Sequence, residues 1–376
     1  MPNFSGVWSL QSQMQAIAAG NWTGLPVPGL YTWGNDTSGQ LGTGNRVNTS
    51  SPVQVGSSPA WAQISAGANH CVAVTSSGTL FAWGSNSYGQ LGDNSTISKS
   101  SPVQVGSLTN WSKVSAGNGF CAAIKTDGTL WTWGSAGTGK LGQTSAINTS
   151  SPVQVGALTT WSQVSAGNYS CAAVTTSGTL FTWGYNGGGQ LGVNNTVTTS
   201  SPVQVGALTN WSKASFGDRF CAAVTTNGTI FTWGSAAYGQ LGSNNTVYQS
   251  SPVQVGALTT WSKIDAGNKF CAAIRTSGAL FTWGYNGTGQ LGQNNLIYQS
   301  SPVQVGALTT WSEAATSVGF CAATTTSGTI FAWGRNDSGQ LGQGNVINRS
   351  SPVQVGSLST WSKLDTGTNF CAGVFT

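Results

Sequence analysis

The sequence repeats one cassette at a fixed interval of 50 residues. In its third copy, residues 130–134 (LWTWG) are followed by residues 139–142 (GKLG) and residues 151–156 (SPVQVG). No copy gains or loses a residue, so one tryptophan of the cassette recurs at Trp33, Trp83, Trp133, Trp183, Trp233, Trp283 and Trp333. Repeats of roughly 20–50 residues are typical of solenoids, propellers and arrays, in which each unit buries its apolar face against the next.

The two ends of the chain carry complementary parts of this unit. Residues 1–26 lie outside the repeat, and residues 27–376 make seven units of 50. The chain stops at Thr376 partway through a unit and enters the following part of that unit at Val27. In an open solenoid the two ends do not need to carry matching parts of one unit, and each end needs a capping repeat. We therefore predict that one unit is built from both ends and that the units close into a ring without free sheet edges.

Each unit is predicted to contain four short strands. Taking the unit over residues 113–155, we expect strands at 113–115, 120–125, 129–133 and 152–155, a tight turn at 126–128 and a long loop at 134–150. The small side chains of Cys121 and its two alanine neighbours favour a crowded inner position near the axis for the second strand. Pro152 opens the fourth strand, where a missing amide donor is tolerated. Short strands at even spacing predict an all-β, seven-bladed propeller of four-stranded blades over residues 27–376.

Aromatic and cysteine columns indicate how the units pack. The tryptophans of the cassette, and a second column from Trp61 to Trp361, are expected to fill the space between blades, because each indole buries about 150–250 Å². The cysteines number seven, which is odd, and there is no Cys-x-x-Cys, so we predict buried free thiols rather than disulfides or a metal site. They occupy one column: Cys71, Cys121, Cys171, Cys221, Cys271, Cys321 and Cys371.

Charge is sparse and shows no clustering along the chain. The protein has 13 basic and 8 acidic residues, a net charge of +5. Nucleic-acid binders normally carry a basic patch, and membrane-surface proteins a basic amphipathic helix. No apolar run approaches the roughly 18 residues of a membrane helix. We therefore predict neither nucleic-acid binding nor membrane insertion, and a polar surface that suits extracellular or virion proteins.

Catalytic constellations are also missing from the sequence. His70 is the single histidine and stands where five other units have Phe, which predicts a core or rim position. Asp218, Asp265, Glu313 and Asp365 lie in different units, without a second carboxylate at a motif spacing. No nucleophile elbow, phosphate-binding glycine loop or metal triad is present. The sequence therefore predicts a protein that is not an enzyme and needs no cofactor or metal.

Strand alternation sorts the connections onto two faces of the predicted ring. The turns between second and third strands, and the returns to the next unit, define the turn face. The loops between first and second strands, and the long loops after the third strand, define the loop face. The turn face is nearly identical in all units, whereas the loop face varies, and it carries Tyr and Arg, which are common binding anchors. The alternative is unselected variation of loops. The predicted binding residues are Tyr88, Tyr169, Tyr185, Arg219, Tyr238, Lys269, Tyr285 and Arg335.

The units resemble the regulator of chromosome condensation repeat. The resemblance covers about 350 of the 376 residues. It rests on an aromatic-x-Trp-Gly, a Gly-Gln-Leu-Gly six residues after the Trp, a Ser-Pro-x-x-Val, and an Ala-Gly before the second strand. It implies a seven-bladed propeller. It does not imply one function, because such propellers include a GTPase exchange factor, ubiquitin ligases and a secreted β-lactamase inhibitor.

The segment before the repeat separates these possibilities. Ser9 is a candidate cap for a short helix over residues 10–19, which Gly20 would end. Residues 2–22 resemble the start of tail-associated structural proteins of marine and cyanobacterial phages, where such a segment would anchor variable domains to the particle. The alternative is that this helix packs against its own propeller. The predicted anchoring residues are Trp8, Leu10, Met14, Ile17 and Trp22.

These observations together predict a non-enzymatic phage virion structural protein, in a tail or fibre-like appendage. Residues 1–26 would join it to other virion proteins or to itself as a homo-oligomer, and the propeller would meet a host-surface glycan or protein. One alternative is a secreted or cell-surface bacterial binding module that acts extracellularly as an enzyme inhibitor. A GTPase exchange factor is disfavoured, because charged residues make up only 6% of the chain.

Overall fold

The computed structural model describes residues 27–56 and 60–376. These residues form seven four-stranded antiparallel sheets, the blades of a closed propeller, and one 3-10 turn at Gly137–Gly139. The predicted helix over residues 10–19 and the five predicted anchoring residues lie outside the described residues. No helix among the described residues is long and apolar enough to cross a membrane.

Strands are numbered in chain order, and six blades use four consecutive strands each. Blade 2 contains β3 (Trp61–Ala66), β4 (His70–Thr75), β5 (Leu80–Gly84) and β6 (Lys99–Gln104). Blade 3 contains β7 (Trp111–Ala116), β8 (Phe120–Lys125), β9 (Leu130–Gly134) and β10 (Thr149–Gln154). Blade 4 contains β11 (Trp161–Ala166), β12 (Ser170–Thr175), β13 (Leu180–Gly184) and β14 (Thr199–Gln204).

The remaining consecutive blades follow the same order. Blade 5 contains β15 (Trp211–Phe216), β16 (Phe220–Thr225), β17 (Ile230–Gly234) and β18 (Gln249–Gln254). Blade 6 contains β19 (Trp261–Ala266), β20 (Phe270–Arg275), β21 (Leu280–Gly284) and β22 (Gln299–Gln304). Blade 7 contains β23 (Trp311–Thr316), β24 (Phe320–Thr325), β25 (Ile330–Gly334) and β26 (Arg349–Gln354).

Blade 1 is assembled from both parts of the chain, which confirms the predicted closure. It combines β1 (Gly29–Gly34) and β2 (Thr49–Gln54) with β27 (Trp361–Thr366) and β28 (Phe370–Phe375). The strands β1 and β28 pair antiparallel along their whole length, from Gly29 opposite Phe375 to Gly34 opposite Phe370. The ring therefore has no open end at which a further blade could add.

The cassette tryptophans lock neighbouring blades together, as predicted. All seven are fully buried, and each Nε1 donates to the backbone oxygen of the Gln or Lys in the preceding blade's Gly-x-Leu-Gly, at 2.8–3.0 Å. The bond from Trp33 to Gln340 joins blade 7 to blade 1 at 3.0 Å. The last glycine of the motif is required by this packing: Gly142 has φ +70°, and a Cβ there would lie 2.7 Å from Trp183 Nε1.

The second tryptophan column and the cysteines complete a core that lies between blades. Each apolar cluster of the described chain combines residues from two adjacent blades. Trp61 packs edge-on against Phe81 with ring centroids 5.5 Å apart, a geometry worth about 0.5–1.5 kcal/mol beyond the area it buries. All seven cysteines are free and fully buried, which confirms the predicted thiols.

The first strand, not the second, lies nearest the axis, so this part of the sequence prediction is wrong. In blade 3 it spans Trp111–Ala116 rather than 113–115, and residues 113–117 line a central channel. The register shifts between Trp111 and Lys113, so the Trp111 indole lies between two blades whereas the residues that follow it face the channel. The small side chains of β8 are instead explained by packing between adjacent blades, where the whole strand is buried.

The third strand begins and ends one residue later than predicted, at Leu130–Gly134, and the fourth begins three residues before Pro152, at Thr149. A register shift between Thr149 and Val153 spans the proline. Pro152 is therefore not required to donate a backbone hydrogen bond to the neighbouring strand. For this reason the strand can begin before the proline. The second strand (Phe120–Lys125) and the turn after it agree with the prediction.

A belt of side-chain bonds joins the first strands around the channel. At six junctions the acceptor is the side chain of the fifth residue of the first strand: Ser65, Ser115, Ser165, Ser215, Asp265 and Asp365. Each accepts the N–H of the last residue of the next blade's first strand, at 2.8–3.1 Å. The seventh blade has Ala315, which has no acceptor, and Thr366 N–H turns to its neighbour Asp365 instead, at 2.9 Å.

Candidate recognition surface on the loop face

Three side-chain positions meet on the loop face wherever two blades join. The first position is in the long loop of one blade. The other two belong to the next blade: the residue before its second strand and the residue after its Trp-Gly. A backbone bond of 2.8–3.0 Å connects the latter two in every blade, for example Tyr285 N–H to Lys269 O. By the repeat register, the junction triads are Ser38-Asn69-Ser85, Tyr88-Gly119-Ser135, Thr138-Tyr169-Tyr185, Gly188-Arg219-Ser235, Tyr238-Lys269-Tyr285, Thr288-Gly319-Arg335 and Ser338-Asn369-Asn35.

Junction 5/6, between blades 5 and 6, carries the largest aromatic group of these triads. The ring of Tyr285 lies 5.2 Å from that of Tyr238 and 4.7 Å from that of Tyr298, centroid to centroid. Lys269 Nζ lies 4.6 Å from the Tyr238 ring centroid and 3.5 Å from its hydroxyl. Such cation–π contacts contribute about 0.5–1 kcal/mol at exposed sites. They hold a positive charge against tyrosine rings at the surface.

Junctions 3/4 and 4/5 form a second group of the same composition. The rings of Tyr169 and Tyr185 meet edge-on with centroids 6.1 Å apart. The guanidinium carbon of Arg219, from the next blade, lies 6.0 Å from the Tyr185 ring centroid. Aromatic and cationic side chains therefore occupy three consecutive junctions. We call this set the aromatic arc: Tyr169, Tyr185, Arg219, Tyr238, Lys269, Tyr285 and Tyr298.

Two of the predicted binding residues lie outside the aromatic arc. Tyr88 is 50% exposed and covers Gly119, and no described Lys or Arg lies over its ring. Arg335 is engaged by Asp337 in its own loop, with Nη2 and Oδ2 2.6 Å apart. The junctions on either side of blade 1 carry only Ser and Asn. The loop face therefore has one aromatic and cationic side and one small polar side.

Buried amides hold the loops that carry the aromatic arc. In blade 6, Asn286 is fully buried; its Oδ1 accepts Leu291 N–H at 2.9 Å and its Nδ2 donates to Ile297 O at 3.1 Å. Gln290 Oε1 accepts Thr288 N–H at 3.0 Å. These bonds bring the end of the long loop back to its start. Tyr298 follows Ile297 at that end, and it is thereby held beside Tyr285 although the two are 13 residues apart in the chain. A surface held in this way loses little conformational entropy on binding.

His70 and Cys121 form a buried titratable pair between two blades. His70 Nε2 lies 3.1 Å from Cys121 Sγ, but both side chains are fully buried between blades 2 and 3. Burial lowers the pKa of His70 to about 4, so the ring is neutral, and raises the pKa of Cys121 above its ordinary range. A pair closed to solvent offers no room for a substrate. The predicted core position of His70 is confirmed.

Lys140 is a second departure from the repeat near this pair. It replaces the glutamine of the Gly-x-Leu-Gly motif, and its Nζ donates to Asn118 O at 2.8 Å. Burial lowers the pKa of Lys140 to about 8. The lysine thus bonds within blade 3, and its ammonium is not presented to the surface.

The fold and the repeat pattern match known proteins. The RCC1-like domain family matches residues 112–375, and the regulator of chromosome condensation (RCC1) repeat family matches residues 29–74 and 77–124. A second family of the same repeat matches residues 61–90. The class of protein is therefore an RCC1-type seven-bladed propeller. The chain belongs to the RCC1-like domain family.

Solved structures agree with this fold at low sequence identity. Human WBSCR16 is 20% identical with a TM-score of 0.84, over 93% of this chain and 99% of that chain. Yeast RCC1 (Prp20) bound to Kap60 is 18% identical with a TM-score of 0.82, over 93% and 89%. Prp20p from Saccharomyces cerevisiae is 18% identical with a TM-score of 0.82, over 94% and 93%. No curated protein sequence matches the chain.

Proposed function

We propose that this protein is a non-enzymatic recognition module whose aromatic arc binds a partner. The observation that carries the proposal is the concentration of five tyrosines and two cations at three consecutive junctions of an otherwise repetitive ring. Tyrosine and arginine are enriched among the residues that dominate binding energy. A protein of similar fold also has protein partners: yeast RCC1 (Prp20) is bound to Kap60, and Prp20p is described as binding Gsp1p and histones.

The direction of the strands supports an outward-facing loop face. Strand β1 begins at Gly29 opposite Phe375, and it ends at Gly34, next to the loop-face residue Asn369. Gly29 and Phe375 therefore both lie at the turn face. An attachment through the segment before Gly29 would hold the turn face and leave the aromatic arc pointing away from the attachment.

On this basis we extend the proposal to a phage particle. Residues 2–22 resemble the start of tail-associated structural proteins, so they would anchor the chain to other virion proteins or to a second copy of itself. The aromatic arc would then face a host-surface glycan or protein. Several copies on one particle would raise the avidity of individually weak contacts.

Paired tyrosine variants test the recognition surface. Tyr185→Ala with Tyr285→Ala removes one ring from each group of the aromatic arc. If both are binding anchors, each loss costs about 2 kcal/mol, or about 30-fold in affinity. The matched control is Tyr88→Ala, at an exposed loop-face tyrosine of junction 2/3 outside the arc. Binding is measured on host cells and on a glycan array. Equal binding by the double variant, the control variant and the wild type would contradict the proposal.

The particle proposal has separate tests. Mass spectrometry of purified particles is expected to detect the chain. Deletion of residues 1–22 is expected to abolish its incorporation into particles and to reduce the number of copies in its oligomer, measured as the mass of the assembly in solution. A deletion variant that keeps both properties would refute anchoring while leaving the recognition surface untouched. Nucleotide release from a small GTPase, or tight one-to-one inhibition of an enzyme by a monomer, would favour the alternatives from the sequence.

A further inference from the structure

A polar channel of about 660 Å³ runs along the axis of the ring, lined by the first strands of all seven blades. This volume lies within the range of about 300–1,000 Å³ that ligand sites occupy. The third residue of each first strand defines a position that we call the channel ring. Its members are Gln63, Lys113, Gln163, Lys213, Lys263, Glu313 and Lys363. All but Lys363 line the channel.

Glutamine in the channel ring joins one blade to the next. Gln63 Oε1 accepts Val114 N–H at 3.2 Å, and its Nε2 donates to Val114 O at 3.1 Å. Gln163 makes the same two bonds with Ala214, both at 3.1 Å. These bonds satisfy backbone groups on the inner edge of the next blade, which no strand covers.

Lys113 and Lys213 replace this arrangement with unpaired cations. An ammonium group cannot accept a hydrogen bond, so lysine loses half of the pairing that glutamine makes. Neither the Lys113 nor the Lys213 ammonium group has a hydrogen bond or an ion pair with any residue that the structure describes. Lys263 differs, because its Nζ donates to Ser312 O at 2.6 Å and lies 3.9 Å from Glu313.

Two of the channel carboxylates, Glu313 and Asp365, lie away from Lys113 and Lys213, whereas Asp265 adjoins blade 5, where its Oδ1 accepts the Ser215 hydroxyl at 3.0 Å. Asp265, Glu313 and Asp365 belong to blades 6, 7 and 1, whereas Lys113 and Lys213 belong to blades 3 and 5. Asp218 follows the first strand of blade 5 at the loop-face end, where Asn168 Nδ2 donates to it at 2.7 Å. Among the described residues, the turn-face mouth between blades 3 and 5 therefore holds two lysines that are not paired with a carboxylate.

We propose that this mouth of the channel binds a multivalent anion of the oligophosphate type, held by Lys113 and Lys213 on either side of Gln163. The ligand needs at least two charged groups, because the lysines are separated by one blade. Phosphate suits lysine, which binds it as a point charge. The anion is either a free oligophosphate or a segment of a bound protein with two phosphorylated side chains. The site lies on the opposite face from the aromatic arc and does not depend on the function proposed for it.

The test is calorimetric titration of the full-length protein with tripolyphosphate at low salt. We expect one-to-one binding, weakened about tenfold for each lysine lost in Lys113→Gln with Lys213→Gln. Glutamine is the residue that Gln63 and Gln163 place at the same position, so we expect the variant to fold with an equal or higher melting temperature. A parallel titration with a doubly phosphorylated serine peptide distinguishes the two sources of the anion.

The matched control changes the same charge outside the channel. Lys99 and Arg349 begin the outermost strands of their blades, where blades 5 and 6 have Gln249 and Gln299. Lys99→Gln with Arg349→Gln is expected to bind tripolyphosphate as the wild type does. The proposal is overturned if neither ligand binds the wild type, or if the control loses as much affinity as the channel variant.

Discussion

At junction 4/5 a small residue, Ser170, stands where most blades have Phe, and a large residue, Phe216, stands where most blades have a small one. This exchange predicts that substitutions at the two positions have strongly non-additive effects on the free energy of unfolding. At junction 3/4, Phe120 opens the second strand and packs in one cluster with Ala166 of the next blade. Junction 4/5 instead has Ser170 at the first position and Phe216 at the second. Phe216 is 6% exposed, and its cluster contains no phenylalanine from blade 4.

The glycine beside these residues shows which ring fills the space. A Cβ on Gly117 would lie 2.4 Å from Phe120 Cε1, whereas a Cβ on Gly167 would lie 2.6 Å from Phe216 Cβ. The side chain of Phe216 therefore covers the glycine that a phenylalanine at position 170 would otherwise cover. Ser170 in turn donates its hydroxyl to Tyr185 O at 2.8 Å, which links this repacking to the aromatic arc.

Each single substitution is expected to destabilise the protein. Phe216→Ala leaves a cavity between two small residues, at a cost of about 3–5 kcal/mol. Ser170→Phe inserts a second ring into an occupied space and costs about 1–3 kcal/mol. The double variant restores the arrangement of junction 3/4 and loses only the Ser170 hydrogen bond, about 1 kcal/mol. The predicted coupling between the two sites, the summed single costs less the cost of the double variant, is therefore about 5 kcal/mol.

A double-mutant cycle in urea measures this coupling. The free energy of unfolding is determined for the wild type, both single variants and the double variant. Residues without mutual packing give costs that add within about 0.5 kcal/mol. Additive costs here would refute the inference that Phe216 fills the space left by Ser170.

Three further predictions concern the core and the channel. No cysteine reacts with a thiol reagent at neutral pH in the native protein and all seven react in denaturant, because burial raises the thiol pKa values; native labelling would contradict this. Ala315→Ser supplies the acceptor missing from the first-strand belt and raises the free energy of unfolding by about 1 kcal/mol in urea, whereas an unchanged value would argue against the belt. Burial raises the pKa of Asp365 from 3.8 to about 6, so the folded state binds the proton more tightly than the unfolded state, and stability is lost as pH rises from about 4 through 6. We expect a loss of about 2 kcal/mol in urea titrations across this window, absent in Asp365→Asn; parallel pH profiles would exclude Asp365 as the cause.

The ring itself was predictable because its packing is repeated in the sequence. Trp33 and its six equivalents need both a partner oxygen and a glycine in the neighbouring blade, so aromatic and glycine positions recur at one spacing. The phases of the two ends then imply that β1 pairs with β28. Strand limits were less predictable, because a register shift lets Pro152 lie inside β10 rather than at its start.

The recognition surface was only partly predictable. Alternation of strands assigns a loop residue to a face, but it does not say that Tyr238 of one blade meets Lys269 of the next. That contact depends on how neighbouring blades stagger. The channel lysines are harder still to recognise, since Lys113 lies in a short polar stretch, and its direction follows from the register shift after Trp111.

Hydrogen exchange of the β1 amides tests most directly whether the ring is closed by both parts of the chain. Strand β1 (Gly29–Gly34) pairs with β28 on one side and β2 on the other, as β9 pairs with β8 and β10. We predict that β1 amides exchange as slowly as those of β9 (Leu130–Gly134). Exchange of β1 at the rate of the long loops would contradict closure, and with it the placement of the aromatic arc and the channel.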